Sequence, residues 1–349
     1  DMTSAATWRF TGTGTLTLNA DGNTDAAGLF TLNTGVTLST QNQSVGITGS
    51  DFVINGTGAI AAGSGAVSLA PSTAVSIGLG TGAGTFSVSD AEIDAISTTG
   101  TLTIGDASKA SAVTVDDVTA DAKNITINTN GTISDDDDSG DSLTTSGVLT
   151  LRSNGDIGGS GVPQGFNLNV GTLNITSTGT GNVTIDNANT NLDLGTLNVG
   201  GNFTVVTGGT ITDSGVLTIG GTASFTTDAA DKAITLNTTT NAITGAVSFS
   251  TLGTLGHVTI DNGTTALNLG TVGVNGNFTA ISGAGITDSG VLTISGNGSF
   301  TADVANQSIV LNSQTNAITG FSTFTTSGTG NVVWDNGTTN LFLGDSGIG

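Results

Sequence analysis

The chain has 349 residues, of which 55 are Gly, 5 are Lys or Arg and 27 are Asp or Glu, so it carries a formal net charge of −22 with 9% of residues charged. Nothing here could neutralise a run of phosphates, which excludes a nucleic-acid partner, and helical bundles and coiled coils fail for want of Ala, Glu, Lys and Leu at helical spacing. Cysteine is absent, which removes disulfides, thiolate nucleophiles and Cys-ligated metals, whereas 36% hydrophobic residues suffice for a buried core.

Residues 1–130 read as irregular coils of short alternating strands. TGTLTLNADG, GVTLST, SVGITGSDFVINGTGAI, GAVSLA and GTLTIGDASKASAVTVDDV hold short alternating strands separated by Gly, Asp or Asn, as strands bounded by turn residues are. Across 131–167 the rhythm is interrupted by GTISDDDDSGDSLTTSG and RSNGDIGGSGVPQGF, which read as acidic and Gly-rich loops projecting from coils. No domain boundary is expected there, because SGVLTL at 146–151 matches SGVLTI at 214–219 and continues the wall.

From 168 to 349 the chain repeats. NFTVVTGGTITDSGVLTIGGTASFTT at 202–227 returns as NFTAISGAGITDSGVLTISGNGSFTA at 277–302, 75 residues later. Asp213 and Asp288, Phe225 and Phe300, and Asn241 and Asn316 match at the same step. NVTIDN at 182–187 recurs as HVTIDN at 257–262 and as VVWDN at 332–336. Phe203, Phe225 and Phe249 lie 22 and 24 apart, a spacing that Phe278, Phe300 and Phe324 reproduce. A string of separate β-sandwiches would have thin cores, since Tyr is absent and Trp numbers two. A solenoid covers every coil with its neighbours and needs less bulk. The expectation is therefore an all-β, right-handed parallel β-helix (β-solenoid) with about three coils of roughly 25 residues per repeat. One continuous solenoid over 1–349 would have about 14 coils and run to roughly 65 Å at ~4.8 Å per coil.

SDAEIDAISTTGTLTIGDASKASAVTV at 89–115, NITINTNGTI at 124–133 and the ITDSGVLTIGGTASFTT and NAITGAVSFS segments resemble the β-strand repeat region of filamentous-haemagglutinin-like exoproteins, large surface or secreted proteins of Gram-negative bacteria. That resemblance implies a parallel β-helix, an extracellular or cell-surface location and a structural or adhesive role. Its secretion domain is not recognisable here.

The densest charge is Asp135, Asp136, Asp137, Asp138 and Asp141. Asp116, Asp117 and Asp156 lie near one coil length away on either side, so stacked carboxylates relieved by a hard cation make Asp135–Asp138 the candidate metal site, with Ca²⁺ the ion such oxygens suit. A solvated acidic loop is the plainer reading, since no EF-hand loop or calcium-binding nonapeptide fixes the geometry. The same Asp cluster with Arg152, Lys109 and Lys123 could serve a β-helical polysaccharide-degrading or polysaccharide-binding protein, but no aromatic platform occurs between Phe86 and Phe166. His257 stands where Asn182 and Asn331 stand in the other copies and reads as a coil-edge residue; Trp334 replaces Ile185 and Ile260 and reads as packing. Thr-x-Thr pairs such as Thr101 and Thr103 lack a one-per-coil register in the sequence and do not support ice binding.

Sameness along a chain suits a stiff structural element, whereas chemistry needs a unique constellation. The expectation is a non-enzymatic extracellular rod or fibre segment, an adhesin-like filament element without cofactor. Its partners would be a longer parent chain, copies stacked end to end, or a cell-surface glycan or host surface. The start at Asp1 without signal-peptide character and the stop at LFLGDSGIG in mid-repeat lead to the expectation of an excised segment or a stacking subunit.

Overall fold

In a computed structural model, residues 2–4, 7–135, 140–158 and 165–349 are described. They form a parallel β-solenoid: short strands follow one another around the coil and pair in parallel with strands one coil away, except Phe86–Val88, which pairs with Val75–Gly80 nine residues before it. Alternation is what makes this work, since successive side chains on a strand point to opposite faces. In the strand Phe203–Thr207, Phe203, Val205 and Thr207 are buried while Thr204 and Val206 face outward. One helix occurs among the described residues, Asp90–Asp94. At its start Glu92 accepts the Ser89 N–H at 2.9 Å and, with its other oxygen, the Ile54 N–H at 2.9 Å. No helix among the described residues is long and apolar enough to cross a membrane.

The chain divides into two compact units, Asp1–Gly181 and Asn182–Gly349. In the first, one strand stack runs Leu16, Val45, Val67, Leu102, Ile125, Leu149, Leu173, with coil steps of 29, 22, 35, 23, 24 and 24 residues. The 35-residue step is long because it contains the strand Phe86–Val88 and the helix Asp90–Asp94. Phe30 and Phe52, one coil apart, stack with ring centroids 5.6 Å apart.

Coils in the second unit are shorter and regular. On one stack Leu192 pairs with Ile211, Ile211 with Ile234, Ile234 with Val258 and Val258 with Phe278, so four coils take 278 − 192 = 86 residues, or 21.5 each. A 75-residue repeat therefore spans three and a half coils (75/21.5), which sharpens the expectation of about three longer ones. The spare half coil has a visible effect. Phe203, Phe225 and Phe249 line one stack of strands with centroids 5.7 Å apart. Phe278, Phe300 and Phe324 line the opposite stack. Phe249 meets Phe278 across the core at 5.8 Å, edge to face, a favoured aromatic geometry. Trp334 closes the second column against Phe300 and Phe324 at 5.9 and 5.6 Å, a packing role in keeping with its Ile counterparts.

Candidate functional site

Asp135 ends the strand Ile133–Asp135 and is buried. Its Oδ2 accepts the Asn167 N–H at 2.9 Å and the Ser142 hydroxyl at 3.3 Å. This carboxylate satisfies donors that burial would otherwise strand. Asp136, Asp137 and Asp138 lie outside the described residues. Register separates the other acids from Asp135. Val115 is its partner one coil below, and Ile157 pairs with Ile133, which places Asp156 beside Thr132, three residues from Asp135. Asp116 takes the Thr81 hydroxyl, and Asp141 takes the Asn169 amide at 3.1 Å. Among the described residues no group of three or more His, Cys, Asp or Glu side chains is arranged to hold a metal ion.

The basic residues named with that cluster are dispersed. Lys123 pairs with Asp94 at 3.9 Å. Lys109 lies beside Asp106, whose carboxyl is held below the usual range first by the Ser108 N–H, then by the Ser108 hydroxyl, with a smaller contribution from the lysine charge. Arg152 belongs to a different strand stack from Asp135, in register with Asn128 and Thr176. It lines a cleft of about 310 Å³ with Asn130, Asn154 and Thr178. The Asn154 amide reaches Asn130 at 3.5 Å and the Thr178 hydroxyl reaches Asn154 Oδ1 at 3.2 Å. This small polar wall presents one guanidinium, amides and hydroxyls.

The repeated polar residues have a different job, which the sequence match located without explaining. Strands Ile211–Asp213 and Leu217–Ile219 are separated by a break in the wall, where the Ser214 and Gly215 N–H groups still reach the Leu194 carbonyl of the coil before but the Leu217 N–H has no backbone partner in the coil after. Asn241, from the next coil, fills it: its Oδ1 accepts the Leu217 N–H at 2.9 Å and its Nδ2 donates to Asp213 Oδ2 at 2.7 Å. Asp213 also receives the Asn237 and Thr238 N–H groups. The second copy repeats this with Asn316, which takes the Leu292 N–H at 2.9 Å and gives to Asp288 at 2.8 Å. Asn262 and Asn336 do likewise for Ile243 and Ile318, accepting the N–H and donating back to the carbonyl of the same residue. All four Asn side chains are buried. Asn is suited to this because one planar amide offers both a donor and an acceptor.

A second ladder runs along the coil edge. Asn182 Oδ1 accepts the Asn202 N–H and Asn202 Oδ1 the Thr222 N–H, at 3.0 and 2.9 Å. In the next copy His257 Nδ1 accepts the Asn277 N–H at 2.9 Å, and Asn277 and Asn297 continue upward. His257 thus imitates the Asn that it replaces, which requires a neutral ring with the proton on Nε2. The coil-edge role expected from its Asn counterparts is the one observed.

Asp261 is the crowded carboxylate of this unit. Burial pushes its acidity to higher pH; the Gly263 N–H, 2.8 Å from Oδ1, opposes that, and the charges of Asp303 and Asp213 add to the rise. In the first unit Asp21 shows the reverse. The Ser72 hydroxyl at 2.5 Å lowers its pKa most, burial opposes, and the Ala26 and Asp25 N–H groups lower it further.

Residues 180–250 and 255–325 match a family model described as repeats of unknown function (DUF5649). The two matched segments coincide with the two copies of the 75-residue unit. No curated protein and no solved structure matches the chain.

Proposed function

We propose that the chain is a non-catalytic structural segment of an extracellular or cell-surface bacterial protein, of the adhesin or fibre type, that holds its surfaces in a fixed spacing for attachment. One observation carries this reading: the polar residues that recur with the repeat, Asp213 with Asn241 and Asp288 with Asn316, are consumed in bonds between successive coils. Evolving sites keep reactive groups free at one place on a scaffold, whereas these groups are spent in each copy of the repeat on holding the wall together. The test pairs two measurements on the intact chain. Immobilised protein is pulled by a cantilever against glycan-coated and host-cell surfaces, and a panel of neutral and anionic glycans is assayed for chain cleavage. Retention under load without turnover is expected; cleavage lost in an Asp135→Asn variant would overturn the proposal.

Glycan binding is a second reading, and the cleft at Arg152 favours it. Guanidinium, amide and hydroxyl groups together suit a sugar bearing one carboxylate. A long polyanion is disfavoured by the net charge of −22. Titration of a short acidic oligosaccharide against Arg152→Gln and the parent chain checks this, and equal binding by both would remove it.

A further inference from the structure

The half coil in the repeat has a consequence for what a partner meets. In the first copy the stack Phe203–Thr207, Ala223–Ala230 and Ala246–Leu252 is unbroken, and the opposite side carries the split pair Ile211–Asp213 and Leu217–Ile219. In the second copy the roles exchange. Its unbroken stack, Phe278–Ser282, Gly298–Ala302 and Phe321–Thr325, rises through Val258–Asp261 from the strand Ile234–Leu236, on the side where the first copy is split. Its split pair, Ile286–Asp288 and Leu292–Ile294, follows Leu267–Val274 on the side where the first copy is unbroken.

The outward side chains travel with these stacks. Thr204, Ser224 and Ser248 form one column and Thr226 and Ser250 part of another on the first copy. Their counterparts Thr279, Ser299, Thr323, Thr301 and Thr325 form the same columns on the other side. Each set is an uncharged, mostly hydroxyl surface, with Val206 or Ile281 at the start of its second column, in a chain with net charge −22.

We infer that the 75-residue repeat is a half-turn module, which presents successive copies of one outer surface on opposite faces of the second unit. The true structural period is two repeats. A surface that recurs with the repeat is thus presented from both sides, where an integral number of coils would line both copies along one face. This goes beyond the structural and adhesive reading and stands or falls without it.

The chain has no cysteine, so paired spin labels can be placed cleanly in the full-length protein. Thr226→Cys with Thr301→Cys labels equivalent positions of the two copies. Thr226→Cys with Thr293→Cys is the same-face control, because Thr226, Ser250, Gly273 and Thr293 form one column, three coils from end to end. Three coils are about 14 Å at ~4.8 Å each, whereas the equivalent pair lies three and a half coils, about 17 Å, along the axis and on opposite faces of sheets packed ~10 Å apart, with both labels pointing outward and so farther apart than the sheets. The equivalent pair is expected to read roughly 10 Å longer than the control. Equal distances, or a shorter one for the equivalent pair, would overturn the inference. Ser224→Cys with Ser299→Cys repeats the measurement at a second pair of counterparts, so loss of folding in one variant leaves the other decisive.

Discussion

The two units solve one problem in different ways. Coil steps range from 22 to 35 residues along the stack of the first unit after its opening 29-residue coil, and from 19 to 24 in the second. Irregular coils need local plugs: Asp21 ties to Ser72 across 51 residues of sequence, and Glu92 reaches Ile54 across 38. Regular coils share one set of ladders, so the same Asp–Asn pair closes the same break twice. A strict period is thus the sequence trace of side chains that act between neighbouring turns, and where such ladders give way to individual contacts the period is free to drift.

The largest effects belong to the aromatic columns. Phe225 is fully buried between Phe203 and Phe249, and Phe86 is equally buried in the first unit. Either change to Ala should cost about 3–5 kcal/mol. The comparison is sharpened by double variants: Phe225→Ala with Phe249→Ala should depart from additivity, and Phe225→Ala with Phe86→Ala should add, in denaturant titrations. Coupling between Phe225 and Phe86 would mean that the two units do not respond separately.

Next come the wall breaks. Asn241→Ala strands the Leu217 N–H and takes a donor from Asp213, at about 1–3 kcal/mol for a buried unpaired group. Asn316→Ala should lose a similar amount, because Leu292 and Asp288 stand in the same relation to it. Equilibrium unfolding that separates these two values widely would break the equivalence of the copies.

Acidity divides the units in sign. The depressed pKa of Asp21 makes its carboxylate a stabilising group above the ordinary range, an effect lost as pH falls through the folded-state value. Asp21→Asn should therefore lower the melting temperature at neutral pH, and the deficit should shrink on acidification. Asp261 has the opposite shift: the folded state favours its protonated form, so its contribution is greatest below the ordinary carboxylate range and is lost as pH rises through the raised value. Asp261→Asn, which can still accept the Gly263 N–H, should raise the melting temperature at neutral pH and change little in acid. Parallel pH–melting curves with the same sign for both variants would contradict this assignment.

His257→Asn should produce the smallest change, within about 0.5 kcal/mol of the parent, because the amide oxygen restores the acceptor that serves Asn277. A calorimetric shift of several degrees would show that the ring does more than stand in for Asn.

Much of this architecture was legible in the residues themselves. Short alternating strands and the Phe positions within each copy point to stacked coils, because a parallel wall places like over like, and the recurrence of Asp213 and Asn241 marks the repeat. Coil length was less legible. Phe225 to Phe249 is one coil of 24, but Phe203 pairs with Ala223, 20 residues on, and it is Val205 that faces Phe225. Spacing between like residues thus overstates a coil whenever the like residues are offset along their strands. The site was the least legible part. Carboxylates about one coil length apart suggested an acidic stack, yet Asp156 falls beside Thr132, since a near-match in spacing does not fix register to a single residue. The interior Asn residues carried a signal, their exact recurrence, but polar residues in a Gly- and Thr-rich chain read first as turns.

Register is the central claim, and engineered cross-links in this cysteine-free chain test it most directly. Ser224 and Ser248 are partners on adjacent parallel strands, at the ~4.8 Å spacing that a disulfide can span. Ser224→Cys with Ser248→Cys should oxidise to an intramolecular disulfide under mild conditions, as should Thr279→Cys with Ser299→Cys, whereas Ser224→Cys with Thr251→Cys should remain reduced. A disulfide forming only in the offset pair, read by mass spectrometry of the digested protein, would contradict the stacked register on which every part of the account depends.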